Sequence, residues 1–497
     1  MDLDPATAAF VAVLGDWTAG PGPLHRKLER AIARLVERGE LARGWRLPAE
    51  RRLAKAIVVT RGVVVLAYDA LVADGLVERR QGSGTYVAGS AGSGLPPGRE
   101  GSRLIGHLVD RPGGEAASLV PPPLGAVESV EAGEVIDLSV SVLGDVAGLP
   151  PAQVDVRRLL GDGLDSPWGV PALRRRIAER TTAIGLDATP DQIVVTTGAQ
   201  QGISIAVGCW VRPGDRVVID DPTYPGALSA LLAAGAVPVP VPVDRHGPRL
   251  AELEAALATR PAMAYVQSRV HSPTGGRLSA HRRKAIAELV VRHQVPLVED
   301  HALFAVDWAG GDGPGALAHV PIAAHAPGHP IAVVGSYSKR FWAGLRVGFV
   351  RAPEVVAQRL VRVKATHDLG SSVPGQSLAL ALLDHPDHER WLRARNVELA
   401  RRAALLAGLI ESRLPGWTAA VPHGGLSLWV RLPAPVAGRF ADVARRHGVV
   451  VATAEGLSAR PQEHRDRLRL TFALPEPALL AAVDRLASAW STFARLL

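Results

Sequence analysis

IAVVGSYSKRFWAGLRVGFV, Ile331 to Val350, is the stretch that decides the fold. An apolar run (Ile331 to Val334) leads into a small polar turn (Gly335 to Ser338). One lysine follows, Lys339, and a second apolar run begins after Gly344. Short apolar runs separated by turn residues predict strand, turn, strand. Lys339 is thereby presented on a rigid edge. A lysine amine attacks a carbonyl only when unprotonated, so burial or a neighbouring cation must lower its pKa. Arg346 supplies such a cation, or else grips a phosphate bidentately, which Arg does better than Lys. Ser336 and Ser338 add hydroxyl donors.

Outward from this centre, strands and helices alternate from Val135 to Leu497, which predicts an α/β domain with a mostly parallel sheet. QIVVTTGAQQGISIAV reads as a buried strand and then a helix starting near Ala199. Gly198 lets the backbone approach a ligand, and free N–H groups at the helix start suit a phosphate. RPGDRVVIDDPTYPG sets Tyr224 in a turn after a strand. AYVQSRVHSPTGGRLS carries Arg269, His271 and Ser272 in a loop, with Arg269 read as a loop cation. VPLVEDHALFAVDW ends a strand on Glu299, Asp300 and His301. HGGLSLWVRLP and DRLRLTFALP read as two strands of a small C-terminal α/β lid. Arg467 and Arg469 share a face of the second, so spacing does not separate them.

The chain has 497 residues, enough for two or three domains. No apolar run reaches the roughly 18 residues of a membrane helix. The start, MDLDPATAAF, is acidic and lacks the basic opening of a secretory signal. The single cysteine, Cys209, excludes an intramolecular disulfide and a cysteine metal cluster. These features read as cytoplasmic.

The net charge of +8 is unevenly spread: Leu24 to Val87 holds thirteen Lys/Arg against seven Asp/Glu. Such asymmetry points to a polyanion partner. PLHRKLERAIARLVERGEL has helical apolar spacing and a stop at Gly39. LPAERRLAKAI predicts a second short helix and TRGVVVLAYDALVADG a third, despite a valine run that is awkward in a helix. LVERRQGSGTYVAG reads as a hairpin around Gly82 and Gly84. Helix, helix, helix, hairpin is a winged helix-turn-helix, an α+β unit whose third helix meets base edges with Thr60 and Arg61. Arg79 and Arg80 are placed along phosphate or in a minor groove. The domains are expected at 20–88 (head), 89–134 (a Gly/Pro/Ser-rich linker) and 135–497, the last ~120 residues a small subdomain.

GSYSKRFWAGLRVGF resembles the Schiff-base segment of fold-type I aminotransferases, which bind pyridoxal 5'-phosphate (PLP). The resemblance implies that Lys339 carries the cofactor and that Ser336, Arg346, Gly198 and Ala199 hold its phosphate. It implies Tyr224 on the ring face, Asp300 at the pyridine nitrogen with His301 beside it, and Arg469 on a ligand carboxylate. Arg467 is the alternate for the last role, and Glu299 becomes the pyridine partner if His301 takes an aromatic role. Three positions depart from the family: Leu164 replaces a phosphate-binding Tyr, Ser272 an Asn, and Ala302 an aromatic. The head is similar to GntR-type regulators, in which Arg51, Arg61 and the wing glycines would contact DNA. A GntR-like head before an aminotransferase-like domain is the layout of the MocR subfamily. It implies a PLP-responsive transcription regulator of operator DNA, a head-to-tail homodimer, with PLP or an amino compound as effector. The alternatives are a working aminotransferase with a DNA-binding head, and a regulator that has lost PLP.

Overall fold

The structure, a computed structural model, describes residues 5–18, 22–37, 40–41, 45–73, 76–80, 84–87, 135–143, 147–155, 166–308 and 320–495. It divides into two compact units, Met1–Arg99 and Glu100–Leu497. The expected linker, 89–134, lies outside the described residues.

The first unit holds α1 (Pro5–Leu14), α2 (Leu24–Glu37), α3 (Glu50–Ala56) and α4 (Arg61–Ala73). The hairpin of β1 (Val77–Arg80) and β2 (Gly84–Val87) follows. The head starts earlier than residue 20, because α1 lays Phe10 and Leu14 into the same core as Leu28, Ile32, Leu53 and Tyr68. PATAAFVAVL has no charged face, so it carries no amphipathic stripe to read. The valines of α4 are helical because packing overrides propensity: Val64, Ala67, Tyr68 and Leu71 are buried on one face. The hairpin pairs Val77 with Val87 and Arg80 with Gly84. A third strand-like segment joins it through the Arg46–Tyr86 bridge.

The second unit has β3 (Ile136–Asp137), β4 (Ile193–Thr196), β5 (Arg216–Asp221), β6 (Val237–Asp244), β7 (Gly247–Pro248), β8 (Met263–Gln267), β9 (Leu297–Asp300), β10 (Ile331–Ser336) and β11 (Gly348–Arg351). Then come β12 (Thr418–Ala419), β13 (Ser427–Arg431), β14 (Val449–Val450), β15 (Ala452–Thr453) and β16 (Arg467–Thr471). The large sheet has the order β4-β11-β10-β9-β8-β5-β6-β7. Its centre, from β10 to β6, is parallel, while β11 is antiparallel to both β10 and β4. This is the fold-type I aminotransferase architecture, and the strand, turn, strand reading of Ile331 to Val350 holds.

One face of the sheet buries Tyr265, Val298 and Val334 against helix Ala199–Trp210, and the other buries Val266, Leu297 and Val333 against helix Ala280–His293. A smaller subdomain is built on the sheet β12-β13-β16-β15. Its core also takes Ile136, Leu138 and Leu143. The subdomain is therefore not confined to the end of the chain. The stretch that opens the second unit returns to it, with β3 pairing parallel to β14.

Candidate functional site

Lys339 sits in the turn after β10, with Nζ donating to the Ser141 carbonyl at 2.6 Å. Arg395 holds the turn from outside, donating to the carbonyls of Arg340 (2.6 Å) and Lys339 (3.1 Å). Arg340 is anchored to Glu389, which also takes Arg180. Desolvation, then the charges of Arg469 and Arg346, lower the Lys339 amine to about 8. This is the lowered basicity that a carbonyl-capturing lysine needs.

The helix Ala199–Trp210 starts at Gly198, whose φ of 119° is open to glycine but strained for other residues. A Cβ on Gly198 would stand 3.4 Å from Arg346 Nη2, so the guanidinium lies over the bare backbone of the helix start. Backbone N–H groups and a cation meet there, an arrangement suited to a phosphate. Gln201 ties down the approach: its Oε1 accepts from Thr197 N (2.9 Å) and its Nε2 donates to Asp368 (2.8 Å). Asp368 in turn accepts from the fully buried Lys364 at 2.8 Å. The sequence offered no signal for this chain of contacts, because Gln201 and Asp368 are far apart along it.

At the end of β9 two adjacent carboxylates point to opposite faces of the sheet. Glu299 accepts from Ile322 N, Ala323 N and His301 Nε2 at 2.8 to 2.9 Å. Asp300 accepts from Ala302 N (2.7 Å) and from the hydroxyl of Tyr265 (2.5 Å). Burial raises the Asp300 pKa, and those two donors oppose it. Asp300 also raises the Tyr224 hydroxyl, after desolvation, to about 12. Asp300 and Tyr224 thus share one side with Arg346 and Arg469, whereas Glu299 is consumed on the other. His301, expected beside the cofactor ring, has its Nε2 on buried Glu299 and its ring stacked on Phe304. Tyr265 was not legible as a site residue, since its MAYVQ strand reads only as buried apolar sheet.

Ser272 is clamped through its backbone, with Gln267 accepting from its N and donating to its carbonyl. Arg269 pairs with buried Asp307 at 2.8 Å and lies over Phe304, a structural ion pair shared with Arg277. Leu164 lies outside the described residues.

Strand β16 separates the two arginines. Arg469 is 4% exposed, bonds the Ser139 carbonyl, and is near enough to depress Lys339. Arg467 is partly exposed beside Asp466. Arg469 Nε and Ser141 Oγ are buried polar atoms without a protein partner, and both belong to residues that border the Lys339 amine. Two such atoms beside one lysine amine leave hydrogen-bonding capacity that a polar ligand there could use.

In the head, Arg61 opens α4 and donates to Glu50 at 2.9 Å. Arg79 pairs with Asp69 (2.7 Å) and Glu50 (3.4 Å). Arg51 and Thr60 are exposed beside them. Gly84 has φ 123° and stands against the Arg46 side chain. The side chain of Arg80 and the whole of Gly82 lie outside the described residues. Substituting Arg61→Ala is expected to weaken duplex binding by about 1–3 kcal/mol and to flatten sequence preference. Anisotropy titrations checks this, and equal affinities of mutant and wild type for every duplex would remove Arg61 from the interface.

Comparison with known proteins follows this geometry. Residues 165–486 match the model of the aminotransferase class I and II family, and residues 24–87 that of bacterial regulatory proteins of the gntR family. The HTH-type transcriptional regulator YisV of Bacillus subtilis is 28% identical, over 86% of this chain and 88% of that one. The probable rhizopine catabolism regulatory protein MocR of Rhizobium meliloti is 27% identical, over 80% and 78%. Among solved structures, the α-aminoadipate aminotransferase LysN of Thermus thermophilus, complexed with N-(5'-phosphopyridoxyl)-L-leucine, superposes with a TM-score of 0.64. It is 25% identical and covers 73% of this chain and 94% of that one. No helix among the described residues is long and apolar enough to cross a membrane. The chain belongs to the aminotransferase class I and II family, joined to a gntR-family DNA-binding head as a transcription regulator of the MocR-type architecture.

Proposed function

We propose that the chain is a PLP-responsive regulator in which Lys339 holds the cofactor covalently and an amino compound, or PLP itself, is the effector. The observation that carries this reading is the Lys339 amine, lowered to about 8 and bordered by Arg346 and Arg469. Ser336, Arg346 and the backbone at Gly198 and Ala199 would hold the phosphate, and Asp300, backed by Tyr265, the pyridine nitrogen. Tyr224 would lie against the ring, and Arg469 would take the effector's carboxylate. When bound, PLP supplies a carbonyl for amines and an electron-withdrawing ring. The protein's part is to keep the Lys339 amine neutral, neutralise the phosphate and orient the effector. Head-to-tail pairing of two second units belongs to the same proposal, since paired heads match paired half-sites.

Absorbance of the purified protein before and after PLP addition tests the reading. A new visible band that saturates with PLP is the expected result, and its absence at high PLP overturns the proposal. The amine's basicity gives a second expected outcome. Capture of PLP should rise with pH through about 8, where Lys339 loses its proton. Arg469→Gln removes a cation that favours the neutral amine, so the midpoint should move up towards the ordinary lysine value. A midpoint that stays put, or moves down, would show that Arg469 does not act on Lys339.

A further inference from the structure

The recognition helix α4 carries an outward stripe that its neighbours do not explain. Gly62, Val65, Leu66 and Asp69 follow the i, i+3, i+4, i+7 spacing of one helix face, opposite buried Val64, Ala67, Tyr68 and Leu71. Leu66 is 53% exposed. Asp69, at the far end of the stripe, is neutralised by Arg79 at 2.7 Å. Gly62 has no structural reason to be glycine. Its φ is not positive, and a Cβ would meet only Thr60 Oγ1 at 4.0 Å. Glycine in a helix costs conformational entropy and a packing group, so a bare backbone on an outward face suits close approach of something external. Exposed cations lie on the same pair of helices, with Arg61 opening α4 beside Glu50, and Arg51 and Lys55 on α3. An exposed apolar strip on a helix that opens with an arginine fits the floor of a duplex groove between its phosphates.

We propose that Val65 and Leu66 read thymine through its 5-methyl group in the major groove, with Gly62 setting the depth of entry. The inference rests on the DNA-binding reading of the head and names the base chemistry that the head selects. Aliphatic side chains accept no hydrogen bond and donate none, so the polar edges of bases give them nothing. The thymine methyl is the one apolar feature on the major-groove edges of the four bases. Arg61 is left for a polar contact, to a guanine edge or to phosphate. The preferred half-site should therefore place thymines under the first turns of α4.

The test uses the full chain and a pool of randomised duplexes, from which the bound sequences are enriched. One enriched duplex is then made with deoxyuridine in place of each thymidine in turn, which removes only the methyl. At one or two positions per half-site, affinity by anisotropy should fall about fourfold, the value of one buried methyl. Leu66→Ala should erase that difference at its position, while Arg61→Ala should keep it at lower overall affinity. Gly62→Ala should weaken binding without lowering the melting temperature of the free protein. If an enriched sequence binds equally well with every thymine replaced, methyl reading is wrong. The same holds if the thymine preference survives in both Leu66→Ala and Val65→Ala. Failure to enrich any sequence would instead bring down the DNA-binding reading itself, and the inference with it.

Discussion

Borohydride reduction in the presence of PLP is expected to label one peptide, that of Lys339, and Lys339→Ala to abolish the label. The chain has only five lysines: Lys27, Lys55, Lys284, Lys339 and Lys364. Lys27 and Lys55 lie in the head, and Lys284 is exposed on the outer helix Ala280–His293. Lys364 is fully buried and committed to Asp368 at 2.8 Å, so it is not accessible to the cofactor. The Lys339 amine is lowered to about 8. At pH 8 about half of it is neutral, against well under one part in a hundred for an ordinary lysine. The effect is thus a complete loss in the mutant, read by peptide mapping. Label of equal strength on another lysine in Lys339→Ala would overturn the assignment. The mutant should keep duplex binding in the absence of PLP, because the head has a core of its own.

Gly348→Ala is expected to be the most damaging single methyl addition near the site. A Cβ there would lie 2.7 Å from Gly198 Cα and 2.7 Å from the Gly335 carbonyl oxygen. Both are backbone, on strands or turns pinned by the sheet, so no side chain can swing aside. Overpacking of this kind costs ~1–3 kcal/mol or more. The strand that gives way carries the Gly198 turn with it, so PLP affinity should fall together with the urea midpoint. Gly408→Ala is the matched control. It lies inside helix His388–Arg413 with nothing within 4 Å, and should gain up to ~1 kcal/mol from helix propensity. Equal urea midpoints for the two variants would mean that the crowding at Gly348 is relieved by motions of the backbone.

What the sequence made legible follows from range. The strands and turns that carry Lys339, Arg346, Gly198 and Asp300 follow from local apolar runs and glycine placement, while their roles at the site were implied by the resemblance. The choice between Glu299 and Asp300 is a matter of which face of β9 each residue takes. Spacing says only that they differ; that Glu299 is the one engaged by the backbone of Ile322 and Ala323 is set by residues more than twenty positions on. The bond of His301 to Glu299, two residues back, was not legible for the same reason. Tyr265 and Gln201 act through partners far along the chain, and such contacts leave no local pattern. Helix α1 escaped because an all-apolar short segment has no period to detect. Arg467 and Arg469 were inseparable on one strand face, and only the depth of each along β16 tells them apart.

The carbonyls of Ser139 and Ser141 give the site a last property. They belong to the opening stretch of the second unit, beside β3, and they occupy Arg469 and Lys339 respectively. Both side chains are thus held by the protein's own backbone. Any carboxylate or carbonyl that engages them takes a bond from the protein's own backbone, so binding is an exchange and its net strength is a difference. The stretch itself stays held by the pairing of β3 with β14 and by Leu138 and Leu143 in the small subdomain's core, so the exchange is confined to those two carbonyls.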